Sequence, residues 1–467
     1  MKFQVALWSS LGVAATLAGR FDPNSYADED VITRDVVVIG GGATGTYAAI
    51  NLLDLGVSVA LVEKQSDLGG HTNTYTVPDS GVTIDYGVQT YSNNSAVRDF
   101  LARFEIPTTP FSFQSGEMVY ADFETGEAFP DYEPSFDFTA YTTQLQRFPY
   151  LTTSWTLPDP VPEDLLLSFG EFLNKYNLGD IAYAIWSNSW GSGDALSQPT
   201  VYMLKAIDES FIRGLAEGTV TTARRNNHEL YEKALAELGS SALVSSTVTT
   251  VQRPSRGSTG DSVELVVQTP NGEKLVVASK IIVSAPPNIE NMAVFDLDNQ
   301  EKGVFQKFTN SALYVSLITD TGLPNGYAFR NVRPGSADTF AIPPLPGLYL
   351  INPTAVDGMF VAWYGAPNAL PEADVKAHIS ATIAHLRETI ADGSSAEPTE
   401  MRFLAYDSHT PFQLAVPSDA IADGFYRDLE GLQGNRRTWY TGAAFLSHHA
   451  GELWNFTREL LPRVVSA

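Results

Sequence analysis

The stretch 35–45, Asp-Val-Val-Val-Ile-Gly-Gly-Gly-Ala-Thr-Gly, constrains this chain more than any other. A β-branched run followed by glycines at the spacing G-x-G-x-x-G and then a helical pattern reads as the first βαβ turn of a dinucleotide-binding fold. Gly40 permits the tight turn out of the strand, Gly42 lets backbone amides approach a pyrophosphate, and Gly45 lets the helix pack close to the sheet. The helix N-terminus, at Ala43 and Thr44, offers N–H groups and partial positive charge to phosphates. The spacing predicts a strand over 35–39, a helix over 46–55 stopped by Gly56, and a second strand over 58–62. That strand ends at Glu63, the acid expected on a ribose hydroxyl pair, followed by Lys64.

Composition narrows the functional classes. The 467 residues are 44% hydrophobic and 18% charged, which suits a large packed core and excludes a disordered chain. A net charge of -25 repels phosphate backbones and anionic membrane surfaces, so nucleic acid is not an expected partner. With no cysteine, disulfides, thiolate metal sites, a catalytic thiol and a cysteinyl cofactor link are all excluded. The seven histidines show no metal-binding spacing, and no metal is expected.

Residues 1–18 read as a secretory signal peptide, with Lys2 ahead of an apolar run too short for a stable membrane span and small residues at Ala18 and Gly19. Two acceptor sequons, at Asn93 and Asn455, are compatible with a glycoprotein in a secretory pathway, vesicle, vacuole or medium.

Further motifs follow. Gly69-Gly70-His71 stands just past the ribose acid, where a minimal dinucleotide unit needs no second glycine pair. Asp85-Tyr86-Gly87 ends a strand in a small turn, read either as a close backbone approach to a ligand or as a hairpin with a glycine bulge. From 107 to 218 the chain is aromatic and proline-rich, with helical patterns over 163–176 and 200–215. A helix around 227–235 leads into a strand 242–244 that continues through 251. A hairpin at Asn271-Gly272 follows, then separate strands over 274–277 and 280–285. Strands over 312–319 and 359–364, a helix over 372–390, and a final strand ending in Tyr440-Thr441-Gly442-Ala443 before a last helix complete the pattern.

In order and spacing these motifs resemble the flavin amine oxidase-like superfamily, and most closely the fungal β-cyclopiazonate dehydrogenase-like flavoproteins. The resemblance implies an α/β fold, with a Rossmann-like FAD-binding domain discontinuous over 31–106, 219–287 and 436–467. An interleaved α+β substrate-binding domain would cover 107–218 and 288–435. It implies FAD along Gly40, Gly42, Ala43, Thr44, Gly45, Glu63, Lys64, Gly69, Gly70, His71, Tyr86 and Gly87. Val248 would lie over the adenine, and Gly442 and Ala443 near the ribityl and phosphate groups. His71 stands where many relatives carry arginine; it would either tether FAD through a histidyl bond or hydrogen-bond the cofactor without one. The implied chemistry is hydride transfer from a small, fairly apolar specialised metabolite to flavin N5, with oxygen as acceptor. A double-bond isomerase without net redox change and a non-catalytic flavin-binding protein are the alternatives. Lys205 and Lys307 are possible counterparts of the amine oxidases' lysine near N5, although a solvated lysine accounts for each more simply. The oligomeric state is open.

Overall fold

The computed structural model describes residues 19–112, 116–258, 262–335, 339–390 and 400–466. The signal-peptide reading of 1–18 lies outside them.

Strand Val31–Ile39 lies in the middle of a seven-stranded sheet, with Val36, Val37 and Val38 fully buried, as a parallel strand covered on both faces requires. On one side it pairs in parallel with Val59–Val62, which pairs with Ala242–Leu243. On the other it pairs in parallel with Gly272–Val283 along almost its whole length. Helix Ala43–Asp54 connects the first two strands and packs beneath the C-terminal helix Ala450–Ser466, where Tyr47 stacks on Trp454. The Rossmann-like architecture is therefore as expected.

Two sequence expectations need correction here. The strands expected at 274–277 and 280–285 are one twelve-residue strand, Gly272–Val283, that changes partner along its length. Its first half pairs antiparallel with Val263–Thr269, and Ile281–Val283 pair in parallel with Thr438–Tyr440. Conversely, the strand expected to run from 242 through 251 is two strands, Ala242–Leu243 and Thr247–Gln252. Ser245, at φ 47°, turns the chain between them, and the Ser245 and Ser246 amides bond the Gln65 and Glu63 carbonyls.

A second, six-stranded sheet runs Arg402–Ser408, Ala312–Thr319, Met359–Ala366, Gly347–Pro353, Tyr327–Asn331, Glu117–Ala121. Its strands alternate as a two-faced sheet must. Tyr314 and Ile318 pack with Val375, Ile379, Ile383 and Leu386 of helix Glu372–Ile390, whereas Leu313 and Val315 face the other way into the main core.

Short helices cover that second face. The helix expected over 163–176 is two, Glu163–Leu166 and Phe169–Lys175, because Ser168 caps the second through a reciprocal capping box with Glu171. The helix expected over 200–215 likewise breaks into Thr200–Ala206 and Glu209–Glu217, where the Asp208 side chain accepts from the Phe211 amide. Trp186, Tyr141, Phe148 and Trp155 are buried in this layer as core.

Candidate functional site

The three expected glycine elements meet at the carboxyl ends of the central strands, where open α/β sheets bind ligands. Gly40, at φ 101°, donates its amide to the Val62 carbonyl at 2.9 Å, and Gly69 donates to the Gly41 carbonyl at 2.8 Å. A Cβ on Gly45 would lie 1.9 Å from the Gly40 carbonyl oxygen, so helix and turn pack at a distance only glycine allows. Gly42 differs: its Cβ would meet nothing closer than the Gly70 Cα at 3.9 Å. A narrow slot therefore runs between the backbones of the two glycine turns. The helix beginning at Ala43 has no side-chain cap, so the amides of its first turn, at Ala43, Thr44 and Gly45, are offered to whatever enters that slot.

The C-terminal element closes the same cleft. Gly442, at φ 103°, packs beside Thr44 and the Ser284 carbonyl, and the following turn of Ala443 also lacks a side-chain cap. Trp454 Nε1 donates to the Ala43 carbonyl at 3.0 Å, fixing the last helix onto the first. Ser284 sits at the junction of Gly40, Gly45 and Gly442, with Oγ bonded to the Gly40 carbonyl at 2.9 Å. Sequence reasoning missed it; the available signal was a small residue closing a buried strand just before Pro286-Pro287.

Glu63 accepts from the Gly41 amide at 2.6 Å and from the Gln65 amide at 2.8 Å, one on each carboxylate oxygen. Each oxygen keeps a further lone pair for a ribose hydroxyl. Val248 is buried and pairs with Val267, close after the Ser245–Ser246 turn that is bonded to the Glu63–Gln65 segment. Lys64 is exposed. These features suit an extended dinucleotide such as FAD: backbone amides for the pyrophosphate, an acid for the ribose, and a slot that a methyl group at Gly42 would obstruct.

Beyond the slot opens a cavity of about 320 Å³, walled by Trp190, Trp363, Phe111, Phe211, Leu313 and Val315, and by four histidines. Gly87 lies in its wall, but a Cβ there would fall 2.1 Å from the His71 carbonyl oxygen, so contact between two protein segments already requires this glycine. Tyr86 gives its carbonyl to Trp363 Nε1 at 3.3 Å. His71 opens onto the void, and its ring stacks on His409 at 4.0 Å and faces Phe412 at 5.6 Å; Phe412 in turn stacks on His448 at 4.2 Å. Burial, with the charge it would share with His409, His448 and Lys64, holds His71 well below the usual imidazole range. Burial, with His449 next, takes His448 to about 3. Both rings are neutral at physiological pH.

The two lysines weighed for a place near the flavin lie elsewhere. Lys205 is not a solvated lysine: it is 4% exposed, its ammonium nitrogen bonds the Leu151 carbonyl at 2.6 Å and the Ser154 carbonyl at 3.1 Å, and burial brings it to about 7. Neither it nor the exposed Lys307 lines the cavity. Among the described residues there is no cluster of three potential metal ligands, and no helix is long and apolar enough to cross a membrane.

Residues 38–104 match the family model described as an NAD(P)-binding Rossmann-like domain. Over its whole length the chain is similar to fungal proteins. The FAD-dependent oxidoreductase pigF of Monascus ruber is 42% identical, over 99% of this chain and 98% of that protein. The β-cyclopiazonate dehydrogenase of Aspergillus oryzae is 32% identical over 100% of both. Among solved structures, a fatty acid isomerase from P. acnes superposes with a TM-score of 0.71 at 18% identity, covering 92% of this chain and 98% of that one. Putrescine oxidase superposes at 0.65 and 17% identity, covering 94% and 100%.

Proposed function

Because the chain belongs to the fungal FAD-dependent oxidoreductases, we propose that it oxidises a small, fairly apolar specialised metabolite by hydride transfer to the flavin, with oxygen as the final acceptor. The observation that carries this reading is the junction of an uncapped glycine cleft with an aromatic-walled cavity. When bound, FAD supplies a two-electron acceptor at its N5 atom.

The chain's own residues have separable tasks. The first-turn amides at Ala43 and Thr44 bind the pyrophosphate, Glu63 binds the adenosine ribose, and the Gly442 turn closes on the ribityl side. Trp190, Trp363, Phe412 and Leu313 orient an apolar substrate and exclude water from it. His71 contacts the cofactor at the inner end of the glycine slot, in keeping with its ring lying in the cavity wall directly after Gly70.

The FAD-binding parts are assigned to 31–106, 219–287 and 436–467, and the substrate-binding parts to 107–218 and 288–435. Entry into a secretory pathway belongs to the same reading and rests on the sequence of 1–18 and the exposed sequon residue Asn93.

Two measurements test the proposal. Purified protein should absorb near about 370 and 450 nm, as oxidised flavins do. Turnover with a candidate metabolite should consume oxygen and release hydrogen peroxide. Turnover without oxygen consumption would instead identify an internal double-bond isomerase, and a protein that neither carries nor takes up FAD would overturn the assignment.

A further inference from the structure

Of the four histidines around the cavity, His409 is the one that pairs with a carboxylate among the described residues: its Nε2 lies 3.5 Å from Asp407 Oδ2. The same nitrogen is 3.1 Å from Asn73 Oδ1, and the Asn73 amide also bonds the Asp407 carboxyl. A carboxylate and an amide oxygen can only accept, so Nε2 carries a proton, and the tautomer this selects for an uncharged ring has its lone pair on Nδ1. Burial works against ionised Asp407, but the hydrogen bonds it accepts from His409, Asn73 and the Ser408 amide oppose it, and the carboxyl lies below its ordinary range. The ring is 3% exposed and lies flat against His71 at 4.0 Å, so its orientation is set by packing as well as by hydrogen bonds. Asp407 stands opposite Val315 in the sheet, on the strand pair that supplies the cavity's apolar floor. The dyad is thus built into the cavity wall, with a carboxylate behind the imidazole.

Resting on the oxidation proposed above, we infer that His409 is the proton acceptor of this cavity. The substrate is then an apolar molecule bearing a weakly acidic O–H or N–H beside the carbon that is oxidised. The O–H or N–H bond breaks and its proton forms a new bond to Nδ1, while the electron pair stays on the heteroatom. That pair becomes the second bond to carbon as the neighbouring C–H departs as hydride, carrying two electrons to the FAD. Asp407 stabilises the resulting imidazolium. Asp407 and Asn73 are positioning residues. The other titratable groups of this neighbourhood include His71 and Lys64 after the second strand, Tyr86 and Tyr406 beside Asp407, and His448 and His449 beyond Phe412.

The full chain, purified with its FAD, is titrated at pH 7 with 4-chlorophenol, and with 4-chloroanisole as the analogue that lacks the proton. The ultraviolet absorption of the phenolate reports ionisation whether or not flavin is present, and a long-wavelength charge-transfer band adds a second readout when it is. The wild type is expected to bind the phenol ionised, with its apparent pKa lowered by ~3 or more, to below the pH of the titration. His409→Gln should abolish that shift with FAD content unchanged. Asp407→Asn should lose at least half of it while binding 4-chloroanisole as the wild type does, which a merely structural role would not produce. Phenol bound in its neutral form by the wild type, absence of phenol binding, or an undiminished shift in His409→Gln would each overturn the inference. Loss of flavin absorption would count against the oxidoreductase reading alone.

Discussion

Two glycines of one motif should respond oppositely to the same added methyl group. At Gly45 the new Cβ would sit 1.9 Å from the Gly40 carbonyl oxygen and 2.6 Å from Ser284 Oγ. The first is backbone, so the helix start must move by about 1.5 Å to restore contact distance, a cost at or above the ~3 kcal/mol upper end for overpacking. For a chain of this length that corresponds to a fall in melting temperature of roughly 3 °C or more. At Gly42 the nearest atom is 3.9 Å away and φ is −69°, an ordinary value for alanine. There the loss of a tolerant N-cap and the gain from a less flexible unfolded chain offset each other to within ~1 kcal/mol. The methyl group at Gly42 instead occupies the slot facing Gly70, and FAD affinity should fall by ~100-fold, about 2.7 kcal/mol. Thermal melts of flavin-free Gly42→Ala and Gly45→Ala, with FAD titrations followed by flavin fluorescence, separate the two effects. If Gly42→Ala melts as early as Gly45→Ala, or binds FAD as tightly as the wild type, the slot has been misassigned.

Glu63→Ala removes the acceptor of two backbone amides as well as a ribose contact. It should weaken FAD retention by at least ~10-fold and also cost the apoprotein about 1–3 kcal/mol, read by denaturant titration. The His71 ring stacks on His409 at 4.0 Å and lies 5.6 Å from the Phe412 ring. Acid precipitation of the wild type is therefore expected to leave flavin in solution; a yellow pellet, lost in His71→Ala and kept in His409→Ala, would establish a histidyl bond instead. Burial raises Asp85 to about 7, against an ordinary value near 3.8. The folded state thus binds the extra proton between those values, and stability should fall as pH rises from about 4 to 7. In Asp85→Asn, Oδ1 can still accept from Thr74 and Asn227, so the variant should lose this pH dependence and be more stable than the wild type at pH 8 by about 2–4 kcal/mol, with little change at pH 4. Unfolding titrations at the two pH values decide it.

The cofactor end of the fold was legible because its determinants are local. Val36–Val38, the glycine spacing and Glu63 occupy one βαβ unit, and the tightest contact of the motif, Gly45 on the Gly40 carbonyl, lies within it. Caps were legible too, yet easily overridden by apolar periodicity. Ser168 with Glu171, and Asp208, are written in the sequence, but the apolar pattern across them suggested continuous helices. Other features have no local signature. Gly272–Val283 stays one strand because Val31–Ile39 pairs along its length, and a partner some 240 residues away leaves no trace in the strand's own residues. The Asp407–His409–Asn73 arrangement likewise joins residues more than 300 positions apart. His409 alone, beside a proline in an irregular segment, carries no pattern that distinguishes it. Lys205 was misjudged because burial of a lone lysine depends on two carbonyls from a separate turn.

The C-terminal turn at Gly442 has a consequence for how the protein is made. The cleft's first wall is synthesised within the opening seventy residues, its central strand partner only at 272–283, and its closing turn just before the last helix. An emerging chain therefore carries Val31–Ile39 with one edge unpaired until residues 275–283 have been made, and pairings of such wide sequence separation make folding slow and exposed to misassociation. Cofactor capture becomes a late, all-or-none event that follows completion of the chain, so cellular FAD supply acts on the yield of finished molecules and not on the folding of partial ones.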